Sequence, residues 1–153
     1  MFSRYLDKHG MNILYAYADA NLQTPKSNEC SLVMMNGSVI AAHFGTQSTT
    51  APSTMHAEYM SAFRASEDIV ALRTLMKELD FEQVAPTRLY EDNQPCIHTA
   101  NNPGALEKKS KTFEIQAFAL RDRCLDKAIV MEWCESLAMA ADLGTKLLPT
   151  KQF

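Results

Sequence analysis

The sequence predicts one α/β domain: a five-stranded mixed sheet, antiparallel in its first three strands and parallel in the later ones, with helices on both faces. Three observations predict it. Two apolar runs flank Asn36-Gly37, the strongest hairpin signal that a short stretch can carry. The run before that hairpin alternates with a period of two and is apolar on both faces, as a central strand must be. Two later strand-like runs are separated by stretches of helical periodicity, the kind of connection that parallel neighbours require. At 153 residues, with 46% apolar and 22% charged side chains, the chain has the size and composition of a single globular domain.

Taken in order, residues 12–19 form the first strand. Ile13, Tyr15 and Tyr17 alternate there with Leu14, Ala16 and Ala18, and Asp19 ends the run. Residues 30–35 and 38–44 are the hairpin. A polar stretch over 46–54 leads into a long helix that Ser53 or Thr54 can cap, with Glu58 in its first turn. Its apolar face is Tyr59, Ala62, Phe63, Ile69, Leu72, Met76 and Leu79. A short strand covers 87–91. Asp92, Asn93 and Pro95, the last suited to a first helical position, then open a short helix that stops at Asn101-Asn102-Pro103-Gly104. Phe113, Ala117, Leu120 and Cys124, reinforced by Phe118 and Leu125, place a helix over 110–126. A strand follows over 128–134, and Ser136 can cap a final helix running to Leu147.

Four carboxylates fall at informative places in this layout: Asp19 and Asp92 at the ends of two strands, Glu58 on the long helix and Asp142 on the last helix. If the first and fourth strands are parallel neighbours, Asp19 and Asp92 emerge together where open α/β sheets place their ligands. Acids gathered in this way raise one another's pKa unless a cation compensates them. Mg²⁺ suits the task, because it prefers oxygen ligands and shares them with phosphate, and a pair of such ions supports in-line displacement at phosphorus. Taken singly, each acid reads as a solvated surface residue, with Glu58 complementing a helix start and Asp92 capping one.

The surrounding residues add a family resemblance. Tyr17-Ala18-Asp19-Ala20-Asn21, Ala57-Glu58-Tyr59-Met60, Leu89-Tyr90-Glu91-Asp92-Asn93-Gln94 and Ala141-Asp142-Leu143-Gly144-Thr145-Lys146 resemble, in order and separation, the four signatures of copia-type retrotransposon ribonuclease H, the C-terminal part of the pol polyprotein. Gln47-Ser48-Thr49, Asn102-Pro103, Ser110-Lys111-Thr112 and Leu148-Pro149 agree as well, so the resemblance runs from Tyr15 to Phe153. It implies a ribonuclease H-like fold and a catalytic, metal-binding tetrad of Asp19, Glu58, Asp92 and Asp142. Two Mg²⁺ or Mn²⁺ ions would be the cofactor, and the RNA strand of an RNA/DNA hybrid made during reverse transcription would be the substrate. Asn93, Gln94, Lys108, Lys109 and Lys111 become candidate nucleic-acid contacts, the lysines serving equally well as a solvated helix start. Arg4-Tyr5-Leu6 resembles the tail of a reverse-transcriptase region, which makes 1–11 the remnant of that connection and the reverse transcriptase a partner within the polyprotein. The chain departs from the family at Asn21 and Leu22, where a second acid and a Trp are usual, at His56 where Glu is common, and at Phe113 and Phe118 where His is usual. An alternative reading therefore keeps the fold without catalysis, as a co-opted module that binds nucleic acid or protein.

The net charge of −3 weighs against a nucleic-acid partner only while all acids are counted, because committing four of them to two divalent cations leaves a balance of +1. Cys30, Cys96, Cys124 and Cys134 have no zinc-ligand spacing and read as reduced core residues. With no signal-peptide pattern and no apolar run of roughly 18 residues, the expected location is cytoplasmic or nuclear, with no membrane partner.

Overall fold

The computed structural model describes residues 12–102 and 111–146, except the side chains of 111–114. The expectations for 1–11, Lys108, Lys109, the Lys111 side chain and Leu148-Pro149 lie outside the described residues.

The strands are β1 (Leu14–Asn21), β2 (Asn28–Met35), β3 (Ser38–Thr46), β4 (Thr87–Glu91) and β5 (Ile129–Trp133). They form one sheet in the order β3-β2-β1-β4-β5, with β1/β2 and β2/β3 antiparallel and β1/β4 and β4/β5 parallel. This is the mixed sheet the sequence predicts. The β2–β3 turn depends on Asn36 and Gly37, whose φ angles of 53° and 80° are the left-handed values that Asn and Gly tolerate best. β3 is an edge strand, and Val39 and Phe44 of its apolar run remain more than half exposed.

Because side chains alternate along β1, its two faces serve different layers. Leu14, Ala16 and Ala18 join Val33 and Leu89 beneath the long helix α1 (Thr54–Glu78), the short helix α2 (Gln94–Asn101) and α3 (Lys111–Leu125). Tyr15 and Tyr17 face the other way with Cys30, Leu32, Met34 and Tyr90, under Cys134, Met139 and Ala141. Tyr17 stacks on Tyr90 with ring centroids 5.2 Å apart, which locks β1 to β4 just below their C-terminal ends. Helices therefore cover both faces, but unequally: α1, α2 and α3 on one, a 3₁₀ turn (Ser136–Ala138) and the short α4 (Asp142–Thr145) on the other.

Three elements differ from the sequence reading. The final helix is not continuous. Met139 lies between the 3₁₀ turn and α4 with extended backbone, and this break lets both Met139 and Ala141 insert against the tyrosine layer. In α3, Ala117 and Leu120 are fully buried, but Phe118 and Leu125 face outward and Arg121 lies 4.6 Å above the Phe118 ring, so the buried stripe is narrower than the apolar residues suggested. Ser53 is the N-cap of α1, with its side chain accepting from the His56 N–H, and Glu58 therefore falls just beyond the first turn. The cysteines are all free, three of them buried. Among the described residues no helix is long and apolar enough to cross a membrane.

Candidate metal centre

Parallel pairing of Tyr17 with Tyr90 sends β1 and β4 out of the sheet side by side, with Asp19 and Asp92 each two residues further on. The start of α1 crosses this edge and is pinned there by polar contacts. Gln47, almost wholly buried, donates from Nε2 to the Ala57 carbonyl at 2.8 Å, and the Ser61 hydroxyl donates to the Asp19 carbonyl at 2.9 Å. Between these two pins, Glu58 Oε2 accepts the Ala20 N–H at 2.7 Å. Carboxylate oxygens of Asp19, Glu58 and Asp92 consequently lie within 4.8 Å of one another, although they come from two strand ends and a helix.

Asp142 enters from the opposite layer. It stands outside that triad but shares one ammonium with it: Lys146 Nζ is 2.5 Å from Asp142 Oδ1 and 3.4 Å from Asp19 Oδ1. The Thr145 hydroxyl donates to the other Asp19 oxygen, Oδ2. Ser136 donates to Asp92 Oδ2 at 2.7 Å, which ties the segment before α4 to the end of β4. The structure thus brings Asp19, Glu58 and Asp92 together and holds Asp142 at one side through Lys146.

Close approach of α4 depends on Gly144. A Cβ there would stand 2.3 Å from Phe44 Cδ1 and 2.7 Å from Cys30 Sγ, both inside contact distance. Phe44 is exposed and can swing away, whereas Cys30 is fully buried and cannot. Gly144→Ala is therefore expected to destabilise the chain by about 1–2 kcal/mol and to weaken the Lys146 and Thr145 contacts to Asp19. Thermal unfolding measures the first effect, and a Cys30→Ala background should return part of the loss. An unchanged midpoint would show that α4 sits less tightly than described.

Burial and mutual repulsion dominate the electrostatics. Loss of solvent, then the charge of Asp19, push the Glu58 carboxyl up to about 9, against a smaller opposing effect of the Ala20 N–H. Asp19 is also raised by burial, with Thr145 and Lys146 pulling it back. Lys146 is held protonated, since its hydrogen bond to Asp142 and the charge of Asp19 outweigh its partial burial.

Glu91 is a fifth acid that the sequence reading passed over. It ends β4, is fully buried, and is raised well above the usual carboxyl range by burial and by Glu58. Its Oε1 accepts the Asn93 N–H at 3.1 Å, while its Oε2 has no hydrogen-bond partner among the described residues. Of the candidate nucleic-acid contacts, Gln94 is exposed, whereas Asn93 caps α2 by accepting the Cys96 N–H at 3.0 Å.

Comparison with known proteins identifies the fold. No family model matches the chain. LC11-RNase H1, solved in complex with an RNA/DNA hybrid, superposes with a TM-score of 0.62 over 86% of this chain and 92% of that one, at 14% identity. The fold is that of a ribonuclease H. Over 92% of its length, this ribonuclease H-like chain is 25% identical to the retrovirus-related Pol polyprotein of transposon TNT 1-94 from Nicotiana tabacum. It is 28% identical over 93% to a Ty1 Gag-Pol polyprotein from Saccharomyces cerevisiae. Retrotransposon polyproteins are thus its relatives in sequence and ribonucleases H its relatives in fold. The chain spans only 11% and 8% of those two polyproteins, about a tenth of their length.

Proposed function

We propose that this chain is a metal-dependent endonuclease that hydrolyses the RNA strand of RNA/DNA hybrids as the ribonuclease H part of a retrotransposon polyprotein. The observation that carries this reading is the convergence of Asp19, Glu58 and Asp92 oxygens within 4.8 Å at the C-terminal edge of a ribonuclease H fold.

The donor set fits divalent cations. All three groups offer oxygen, Asp19 and Glu58 sit on a strand and a helix with Asp92 directly after β4, and two of them are buried where an uncompensated negative charge is costly. Asp19, Glu58 and Asp92 would hold Mg²⁺ or Mn²⁺, with Asp142 joining Asp19 at a second ion. When bound, such ions activate a water and neutralise charge at the scissile phosphate.

The chain's own residues do the rest. The Ala20 N–H orients Glu58, Thr145 orients Asp19 and Ser136 orients Asp92, so each carboxylate has a partner that limits its rotation. The exposed Gln94, two residues beyond Asp92 in sequence, would be available to a bound strand. A hybrid substrate is favoured by the polyprotein relatives and by the hybrid bound to LC11-RNase H1. Recognition would then rest on groove shape and 2′-hydroxyl contacts.

The test is incubation of the chain with labelled RNA/DNA hybrid, single-stranded RNA and duplex DNA, with Mg²⁺ or Mn²⁺ and with EDTA. Metal-dependent cutting of the RNA in the hybrid alone is expected. Cutting of duplex DNA instead, or hybrid binding with no cutting at any metal concentration, would overturn the assignment, the latter in favour of a binding module.

A further inference from the structure

Lys146 is a basic side chain set directly against the acidic cluster, and its place there is specific. Its ammonium bridges Asp142 Oδ1 and Asp19 Oδ1, while Thr145 takes the second Asp19 oxygen. Both oxygens of Asp19 are therefore engaged by consecutive residues at the end of α4. Asp142 and Lys146 are also joined through the backbone, because the Lys146 N–H donates to the Asp142 carbonyl at 3.0 Å. The side chain is 39% exposed, so its head can leave the cluster without unpacking the core.

We infer that Lys146 is a built-in counter-ion that occupies the gap between Asp19 and Asp142 and competes with a second divalent cation for those two carboxylates. The inference rests on the metal-centre reading proposed above. An ammonium and a hard divalent ion cannot share the same two oxygens at close range, since their mutual repulsion is strong at such separations. Among the described residues the Lys146 head contacts Asp19 and Asp142 but neither Glu58 nor Asp92, although its charge reaches both, so the triad takes a first ion more readily than the Asp19–Asp142 gap takes a second. The consequence is an ordered filling: a first ion enters at the triad, and a second enters only as Lys146 swings out. Lys146 acts here as a positioning residue through Asp19 and Asp142.

Calorimetric titration of the metal-free 153-residue chain with Mn²⁺, without substrate, tests this. Wild type should bind one ion well and a second more weakly. Lys146→Gln should tighten the second event by about tenfold or more and the first by clearly less, because only Asp19 of the triad touches Lys146, while Lys146→Arg should restore the wild-type pattern. If Lys146 only clamped α4, Lys146→Gln would weaken the second event or leave it unchanged, and either result overturns the inference. A second measurement needs no variant. In NMR spectra of the wild-type chain, the Lys146 ammonium and Cε signals should move towards solvent-exposed lysine values as Mg²⁺ fills the second site, and signals that stay put under saturating Mg²⁺ would overturn it. One identical binding event in wild type and Lys146→Gln sinks this inference alone. Absence of Mn²⁺ binding in both sinks the metal reading beneath it as well.

Discussion

Replacing Asp92 with Asn is expected to lower hybrid cleavage by about a thousandfold or more, because a metal-held charge at the phosphate contributes several kcal/mol to the transition state. The same change should barely affect folding. Asp92 is only half-buried, and its contact with the fold is the hydrogen bond from Ser136, which an Asn carbonyl oxygen can still accept. Cleavage rates and thermal midpoints measured on one preparation separate these effects. A variant that unfolds with its activity would show that Asp92 is a structural residue, and one that keeps its activity would remove it from the site.

Glu58→Gln should do something less intuitive and stabilise the metal-free chain. The folded-state pKa of Glu58 lies near 9 against an ordinary 4.5, so between those values the folded chain keeps a proton that the unfolded chain gives up. Stability contributed by this group is therefore unaffected below about pH 4.5, falls as pH rises through the interval, and levels off above about 9. An amide has no proton to lose and can still accept the Ala20 N–H through its carbonyl oxygen. At pH 8 the variant should be more stable by about 2 kcal/mol, or roughly 4–8 °C in midpoint. Saturating Mn²⁺ should reverse the order, since the ion stabilises the wild-type carboxylate and finds less in the amide. A variant less stable than wild type at every pH, in EDTA and in Mn²⁺ alike, would contradict the electrostatic description of the cluster.

Much of this architecture was legible before any coordinates, and the physical reason is that strand signals are local. The alternation in 12–19, Asn36-Gly37 and the compact run 87–91 each constrain a handful of adjacent residues, and β1 to β4 lie close to where those patterns put them. What escaped was decided by tertiary contacts. Residues 136–147 contain enough Leu, Ala and Met to read as one helix, yet Met139 and Ala141 must both reach the Tyr17–Tyr90 layer, and a regular helix cannot present both while seating Gly144 against Cys30. Phe118 and Leu125 looked like core residues by type, but the Ala117–Leu120 stripe fills the space available above the sheet.

The site divides in the same way. All four acids were legible by position, Asp19 and Asp92 at strand ends and Glu58 and Asp142 on helices, and the surrounding signatures set all four apart from solvated surface carboxylates. Lys146 and Glu91 were not singled out, although both lie within the quoted signatures, since a lysine near a C-terminus and a glutamate at a strand end are usually solvated. Gln47 and Ser61, which pin α1 over the sheet edge, are polar residues that only burial distinguishes from surface ones.

The most direct check is a crystal structure of this chain grown with Mn²⁺, with the anomalous signal recorded at the manganese edge. A peak bounded by carboxylate oxygens of Asp19, Glu58 and Asp92 is the predicted result. Density that leaves those three groups bare at millimolar Mn²⁺, or that places the ion on other ligands, would contradict it.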